Sequence, residues 1–152
     1  MTLVLAAAAI NQPSCQDAGT WFSAKEVFPK VWQISDHGAD NMYVIEGSDR
    51  SLLIDTGLGA ADLASFVKKL TLKPMIVVNT HGHPAHSGAN HQFEKVYLGA
   101  GDIAAARSYN TPEARAGASG NMTDGNKPSD TEIYIGKIHD TKRLPVKDGY
   151  IF

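Results

Sequence analysis

The sequence predicts an α/β fold layered around one sheet. Three observations carry that reading. Short β-rich runs alternate with turn signals from Val27 onward. Leu63, Phe66, Val67 and Leu70 fall at helical spacing. Met75-Ile76-Val77-Val78-Asn79 is a continuous apolar run of strand length, ended by a histidine-rich loop. The order strand, strand, helix, strand, strand is that of helices packed on a single sheet.

Each element follows from its residues. Val31-Trp32-Gln33-Ile34 reads as a strand, closed by the polar stretch 35–40, and Asn41-Met42-Tyr43-Val44-Ile45-Glu46 as the next. Gly47-Ser48-Asp49-Arg50 turns the chain into a strand over 51–55. Two strands joined by a four-residue polar link are expected to be antiparallel neighbours. The helical spacing predicts a helix over 60–70, and Pro74 ends that region. The run at 75–79 has the pattern of a strand buried on both faces. A short strand is expected at 95–98 and a helix at 103–109. Residues 110–130, rich in Gly, Pro, Ser, Thr and Asn, read as a long mobile loop. Residues 132–138 alternate imperfectly, and Lys147-Asp148-Gly149-Tyr150 reads as a turn.

Composition excludes several classes. At 152 residues the chain is expected to form one domain, burying roughly two-thirds of its unfolded surface if it closes on itself. A formal charge of −2, with no Lys/Arg stripe, leaves no footprint for nucleic acid. The single cysteine, Cys15, forms no intrachain disulfide. No apolar run approaches the ~18 residues of a membrane span. Residues 3–10 are uninterruptedly apolar, and Ala7-Ala8-Ala9 suits a signal-peptidase site. The first basic residue is Lys25, so the usual basic start is absent. A trimmed or unusual signal peptide and a short strand or frayed start both stay open, and residues 1–20 stand outside the fold argument. A periplasmic or secreted location is favoured slightly over a cytoplasmic one.

The chemistry concentrates in one loop. His81-Gly82-His83-Pro84-Ala85-His86 follows the buried-type strand directly, at the strand end where ligand sites of α/β sheets collect. Histidines at i and i+2 on extended backbone point to one side, Gly82 removes crowding and Pro84 stiffens the loop. Neutral imidazole suits zinc, and catalytic zinc sites commonly use three protein ligands and a water. His81, His83 and His86 are the candidate metal ligands. A metal-free surface cluster is the bland alternative, which a lone histidine would favour and this spacing does not. Neither His-Glu-x-x-His nor the deaminase pattern is present.

Asn79-Thr80-His81-Gly82-His83-Pro84-Ala85-His86-Ser87-Gly88 resembles the T-H-x-H-x-D-H-x-G signature of the metallo-β-lactamase superfamily. Leu52-Leu53-Ile54-Asp55-Thr56-Gly57-Leu58-Gly59 is similar to that superfamily's L-I-D-T-G segment, and Asn41-Met42-Tyr43-Val44-Ile45 to its second-strand pattern. The resemblance runs over about residues 27–106 and implies an αββα sandwich with one or two zinc ions at its edge. It implies hydrolysis of a small-molecule β-lactam, ester, lactone or thioester by metal-bound hydroxide. By position, His81 and His83 would serve a first metal and His86 a second, with Asp55 holding the loop in place. An ordinary strand-end aspartate is the plainer reading of Asp55.

Two departures modify the expectation. Ala85 stands where the family has the aspartate that ligates the second metal and orients the attacking water. A methyl group does neither, so any hydrolysis is expected to be impaired. An intact signature around one alanine points to a deliberate substitution, with natural degeneration as the alternative. The family's downstream ligands also have no counterpart. His139 reads as a surface residue, His91 as part of the helix after the loop and outside the site, and His37 as part of a turn. The chain therefore matches about the first half of the sandwich, over residues 21–152. A second chain, a second copy or further sequence of a longer protein is expected to supply the rest. A non-catalytic binding or scaffolding module is the alternative function, and a metal-storage or sensing role is weaker.

Overall fold

The computed structural model describes residues 21–114, 128–129, 131, 134 and 136–146. The residues 1–20, most of the stretch expected as a loop, and the turn expected at 147–150 lie outside the described residues, as do Ile133 and Ile135.

Among the described residues, seven strands form one sheet in sequence order. The first four, β1 (Phe22–Phe28), β2 (Val31–Asp36), β3 (Asp40–Glu46) and β4 (Ser51–Ile54), are an antiparallel meander. The β3–β4 pair is the antiparallel pairing its short polar link predicts. The chain then crosses through helix α1 (Leu63–Leu70) to β5 (Met75–Val78), parallel to β4. Helix α2 (Pro84–Ser87) and a 3₁₀ segment (Gly88–Gln92) lead to β6 (Lys95–Leu98), and α3 (Ile103–Ser108) precedes β7 (Lys142–Pro145). Both of these strands extend the parallel half.

The core lies between the sheet and α1. Ile34, Met42, Val44, Leu53, Val77 and Val96 alternate along their strands with less buried residues, and all six face inward. Leu63 and Val67 meet them from α1, while Phe66 packs its ring 5.2 Å from that of Phe22. The helix begins at Leu63, later than the apolar spacing alone suggests, because Asp62 caps it by accepting the Ser65 N–H at 2.9 Å. Lys68 and Lys69 in the last turn suit the negative end of its dipole.

The outer face of the sheet differs from the expected double burial of β5. Only Val77 of that strand is buried; Ile76 and Val78 are half-buried. Their register partners continue the pattern, since Tyr43 aligns with Ile54, Ile54 with Val78, Val78 with Tyr97, and Tyr97 with Leu144. This apolar stripe lies on the face opposite α1.

Candidate metal centre

The histidine loop leaves the C-terminal end of β5, beside the equivalent end of β4. Because those strands are parallel neighbours, Asp55 and the 79–86 segment emerge together. The Asp55 N–H donates to the Val78 carbonyl at 2.8 Å. Asp55 then takes a left-handed conformation, with φ of 63°, which aspartate tolerates better than most residues. The bend ends β4 at Ile54 and turns the carboxylate across to the loop. Asp55 is 4% exposed.

Both oxygens of that carboxylate are used. Oδ1 accepts the Thr80 N–H at 2.7 Å, and the Thr80 hydroxyl lies 2.9 Å from Oδ2. The Nδ1 of His86 lies 2.8 Å from Oδ2. A carboxylate on Nδ1 fixes the tautomer and leaves the Nε2 lone pair of His86 free, the arrangement by which metal-binding histidines are commonly oriented. The ring of His81 sits 4.0 Å from that of His86 and 4.7 Å from that of His83, centroid to centroid.

A buried polar network fixes the backbone beneath these rings. The carbonyl of His86 accepts the Thr56 N–H at 2.9 Å and the Asn79 side-chain amide at 2.7 Å. Asn90 donates to the Asn79 Oδ1 at 2.7 Å and accepts the Thr56 hydroxyl at 3.0 Å. Asn79, Thr56 and Asn90 are all buried, so each satisfied group avoids a large desolvation cost. The 56–59 segment also presses on the start of the 3₁₀ turn. The Gly88 N–H donates to the Gly57 carbonyl at 2.9 Å, and a Cβ on Gly88 would fall 2.2 Å from the Leu58 carbonyl oxygen. Glycine in the signature thus serves close backbone approach.

Two carboxylates missed by sequence reasoning complete the surroundings. Asp36, fully buried at the end of β2, accepts the Leu58 N–H at 2.9 Å and the Trp21 indole N–H, tying the meander to the 55–59 loop. Burial pushes its carboxyl above the usual range, against the opposing effect of those donors. Asp40 opens β3, against which α2 packs. Burial also raises its carboxyl; the charge of His86 opposes that rise and Asp55 adds to it. Both residues flank a turn that reads in sequence simply as polar, and their partners lie far along the chain.

The remaining histidines separate from the loop. His37, at φ of 48°, stacks on Trp21 with ring centroids 4.6 Å apart. His91 is buried in the 3₁₀ segment after α2, with its Nδ1 3.1 Å from the Gly88 carbonyl. His139, expected at the surface, is partly exposed, and its backbone N–H donates to the His91 carbonyl at 2.8 Å.

The donor chemistry of His81, His83 and His86 fits a zinc-type ion, with His86 already oriented through Asp55. The rings pack on one another, and among the described residues no group of three or more His, Cys, Asp or Glu side chains is arranged to hold an ion. Ala85, half-buried on α2, offers no donor. The fit lies in the donor set and its anchoring.

Comparison with known proteins identifies the family. Residues 36–139 match the metallo-β-lactamase superfamily. The acyl-coenzyme A thioesterase MBLAC2 of Gallus gallus is 29% identical over 99 residues, covering 56% of this chain and 36% of that protein. Its counterpart in Homo sapiens is 27% identical over 93 residues, covering 50% and 33%. The match thus spans about a third of the length of these curated relatives. The solved DIM-1 metallo-β-lactamase aligns with a TM-score of 0.50 at 14% identity, over 59% of this chain and 47% of that one. The same enzyme exposed to ceftazidime aligns with a TM-score of 0.50, again at 14% identity, over 62% and 50%. At that identity the likeness concerns the fold, a mixed sheet with helices corresponding to part of the αββα sandwich. With both motifs inside the matched region and joined through Asp55 and His86, the chain belongs to the metallo-β-lactamase superfamily.

Proposed function

We propose that this chain carries the metal-binding loop of a zinc-dependent hydrolase acting on a small acyl substrate, impaired by Ala85. The carrying observation is the His86–Asp55 contact at 2.8 Å beneath His81 and His83. His81 and His83 would hold one ion and His86 a second. Metal held there would supply Lewis acidity at a substrate carbonyl. Asp55 orients the His86 ring, Thr80 holds Asp55, and the Asn79–Thr56–Asn90 network keeps the loop backbone from yielding. Among the acyl classes, a thioester is favoured by the similarity to MBLAC2, and a β-lactam by the similarity to DIM-1 in fold alone. The Asp55–His86 pair has no bearing on that choice. The test is turnover of acyl thioester and β-lactam probes by the zinc-loaded protein and its Ala85→Asp variant. A rise of at least tenfold on one probe in the variant supports the reading, and equal inactivity of both proteins on every probe contradicts it.

Ala85 itself favours a second reading, a degenerate domain that binds a partner without catalysis. It predicts no gain of turnover on Ala85→Asp and little retained zinc. We further propose that the apolar outer stripe of the sheet is covered by a second chain or a second copy. Its support is the register run from Tyr43 to Leu144, and a particle mass in solution equal to one chain contradicts it. Export to the periplasm or the cell exterior belongs to the same reading, supported only by the apolar residues 3–10; fractionation of expressing cells tests it.

A further inference from the structure

A polar cavity of about 300 Å³ lies between α3, the 3₁₀ segment and the start of β7, apart from the histidine loop. Its wall brings together Arg107, Arg143, His91, His139, Asp140 and Thr141. Two guanidiniums thus share one small cavity with two imidazoles and a single carboxylate. Arg107 is exposed on α3 and Arg143 is half-buried on β7.

Among the described residues, the Arg143 guanidinium is short of acceptors. Arg143 donates through Nη1 to the Thr141 carbonyl at 3.0 Å, whereas its Nε is buried with no hydrogen-bond partner. Burial pulls the Arg143 guanidinium below its usual value; the charge of Arg107 pulls the same way and that of Asp140 opposes. A buried donor on a charged group is costly when left unpaired. Asp140 is exposed, and one carboxylate does not neutralise two guanidiniums. Thr141 has already committed its hydroxyl to the Asn90 and Phe93 carbonyls at 2.7 and 2.9 Å. What the cavity lacks is a ligand with several acceptor oxygens and negative charge.

We propose that this cavity binds a phosphate group, held by the guanidinium groups of Arg143 and Arg107 that line it together. A phosphate presents three acceptor oxygens and up to two negative charges, enough to meet both arginines at once, whereas a carboxylate offers two oxygens and one charge. The group is either free phosphate or the phosphate of a larger substrate. The cavity is joined to the histidine loop through Asn110, whose side-chain amide donates to the Ser87 carbonyl at 2.8 Å, next to His86. The assignment rests on the arginines and is independent of the metal reading.

The experiment is calorimetric titration of the metal-free protein, kept in chelator, with inorganic phosphate, coenzyme A and acetate. Removing metal prevents phosphate from binding at the histidine loop, so failure here leaves the hydrolase reading standing. Binding of phosphate or coenzyme A, weakened at least tenfold in Arg143→Gln and several-fold in Arg107→Gln, supports the proposal. Coenzyme A binding more tightly than phosphate identifies a phosphate carried on a larger substrate, and the reverse identifies the free ion. Arg107 lies on the surface, so its variant keeps the test valid if Arg143→Gln fails to fold. No binding of either phosphate compound, affinity unchanged in the arginine variants, or acetate binding as tightly as phosphate overturns it.

Discussion

His86 and Asp55 meet at 2.8 Å across 31 residues of sequence, through the imidazole Nδ1 and a carboxylate oxygen. Their meeting follows from topology. Parallel pairing of β4 and β5 sets the two strand ends side by side, and the left-handed turn at Asp55 aims its carboxylate at the loop. The result is a histidine whose second nitrogen is committed before any ligand arrives.

Asp55→Asn tests that commitment. Asparagine tolerates the left-handed backbone, so the fold should hold with little change in thermal midpoint. An amide offers no anionic acceptor to His86, and zinc affinity should fall roughly 10- to 100-fold, as when other such supports are removed. Competition titration with a chromogenic chelator measures it.

Gly88→Ala tests the close approach of the two signature segments. The residue has an ordinary helical φ, so the added methyl acts through sterics alone. With the Leu58 carbonyl oxygen 2.2 Å from the new Cβ, the backbone must shift, and a loss of about 1–3 kcal/mol or more is expected. Urea denaturation would show it as a lower midpoint with an unchanged slope.

Asp36 gives the fold a pH signature. Its carboxyl is raised above 3.8 chiefly by burial, so the folded state keeps a proton that the unfolded chain has already released. Stability therefore falls as pH rises from that ordinary value through the folded-state value, and is flat beyond it. Asp36→Asn removes this component. The stability of the wild type minus that of the variant should be greatest at the acid end and shrink as pH rises. Asp40 is raised likewise and stays in both proteins, so beyond its own charge on Asp36 it is common to the two. A difference that grows with pH would contradict the assignment.

Much of the parallel half of the fold was legible because its signals are local. The apolar run at 75–78 and the short β-rich run at 95–98 mark strands by residue type, and the 63, 66, 67, 70 spacing marks a helix. The edges were not legible. In β1 only Phe22 and Ala24 are buried while Phe28 is exposed, so the run carries little pattern. In β7, Lys-Arg-Leu-Pro reads as a loop, and its strand character comes from pairing with β6, more than forty residues earlier. At the site, the three histidines and Asp55 were named by their motifs. Asp36, Asp40 and Asn90 were not, because each acquires its role from a distant neighbour: Leu58 for Asp36, His86 for Asp40, Thr56 for Asn90.

The proposed zinc centre keeps its three histidines, His81, His83 and His86, and lacks one carboxylate at Ala85. Its most direct test is the zinc content per chain, by elemental analysis after dialysis against buffered zinc, of the wild type, Ala85→Asp and His81→Ala/His83→Ala. Bound zinc is expected in the wild type, more zinc in Ala85→Asp, and loss in the double variant. Equal zinc in all three, or none in any, would contradict it.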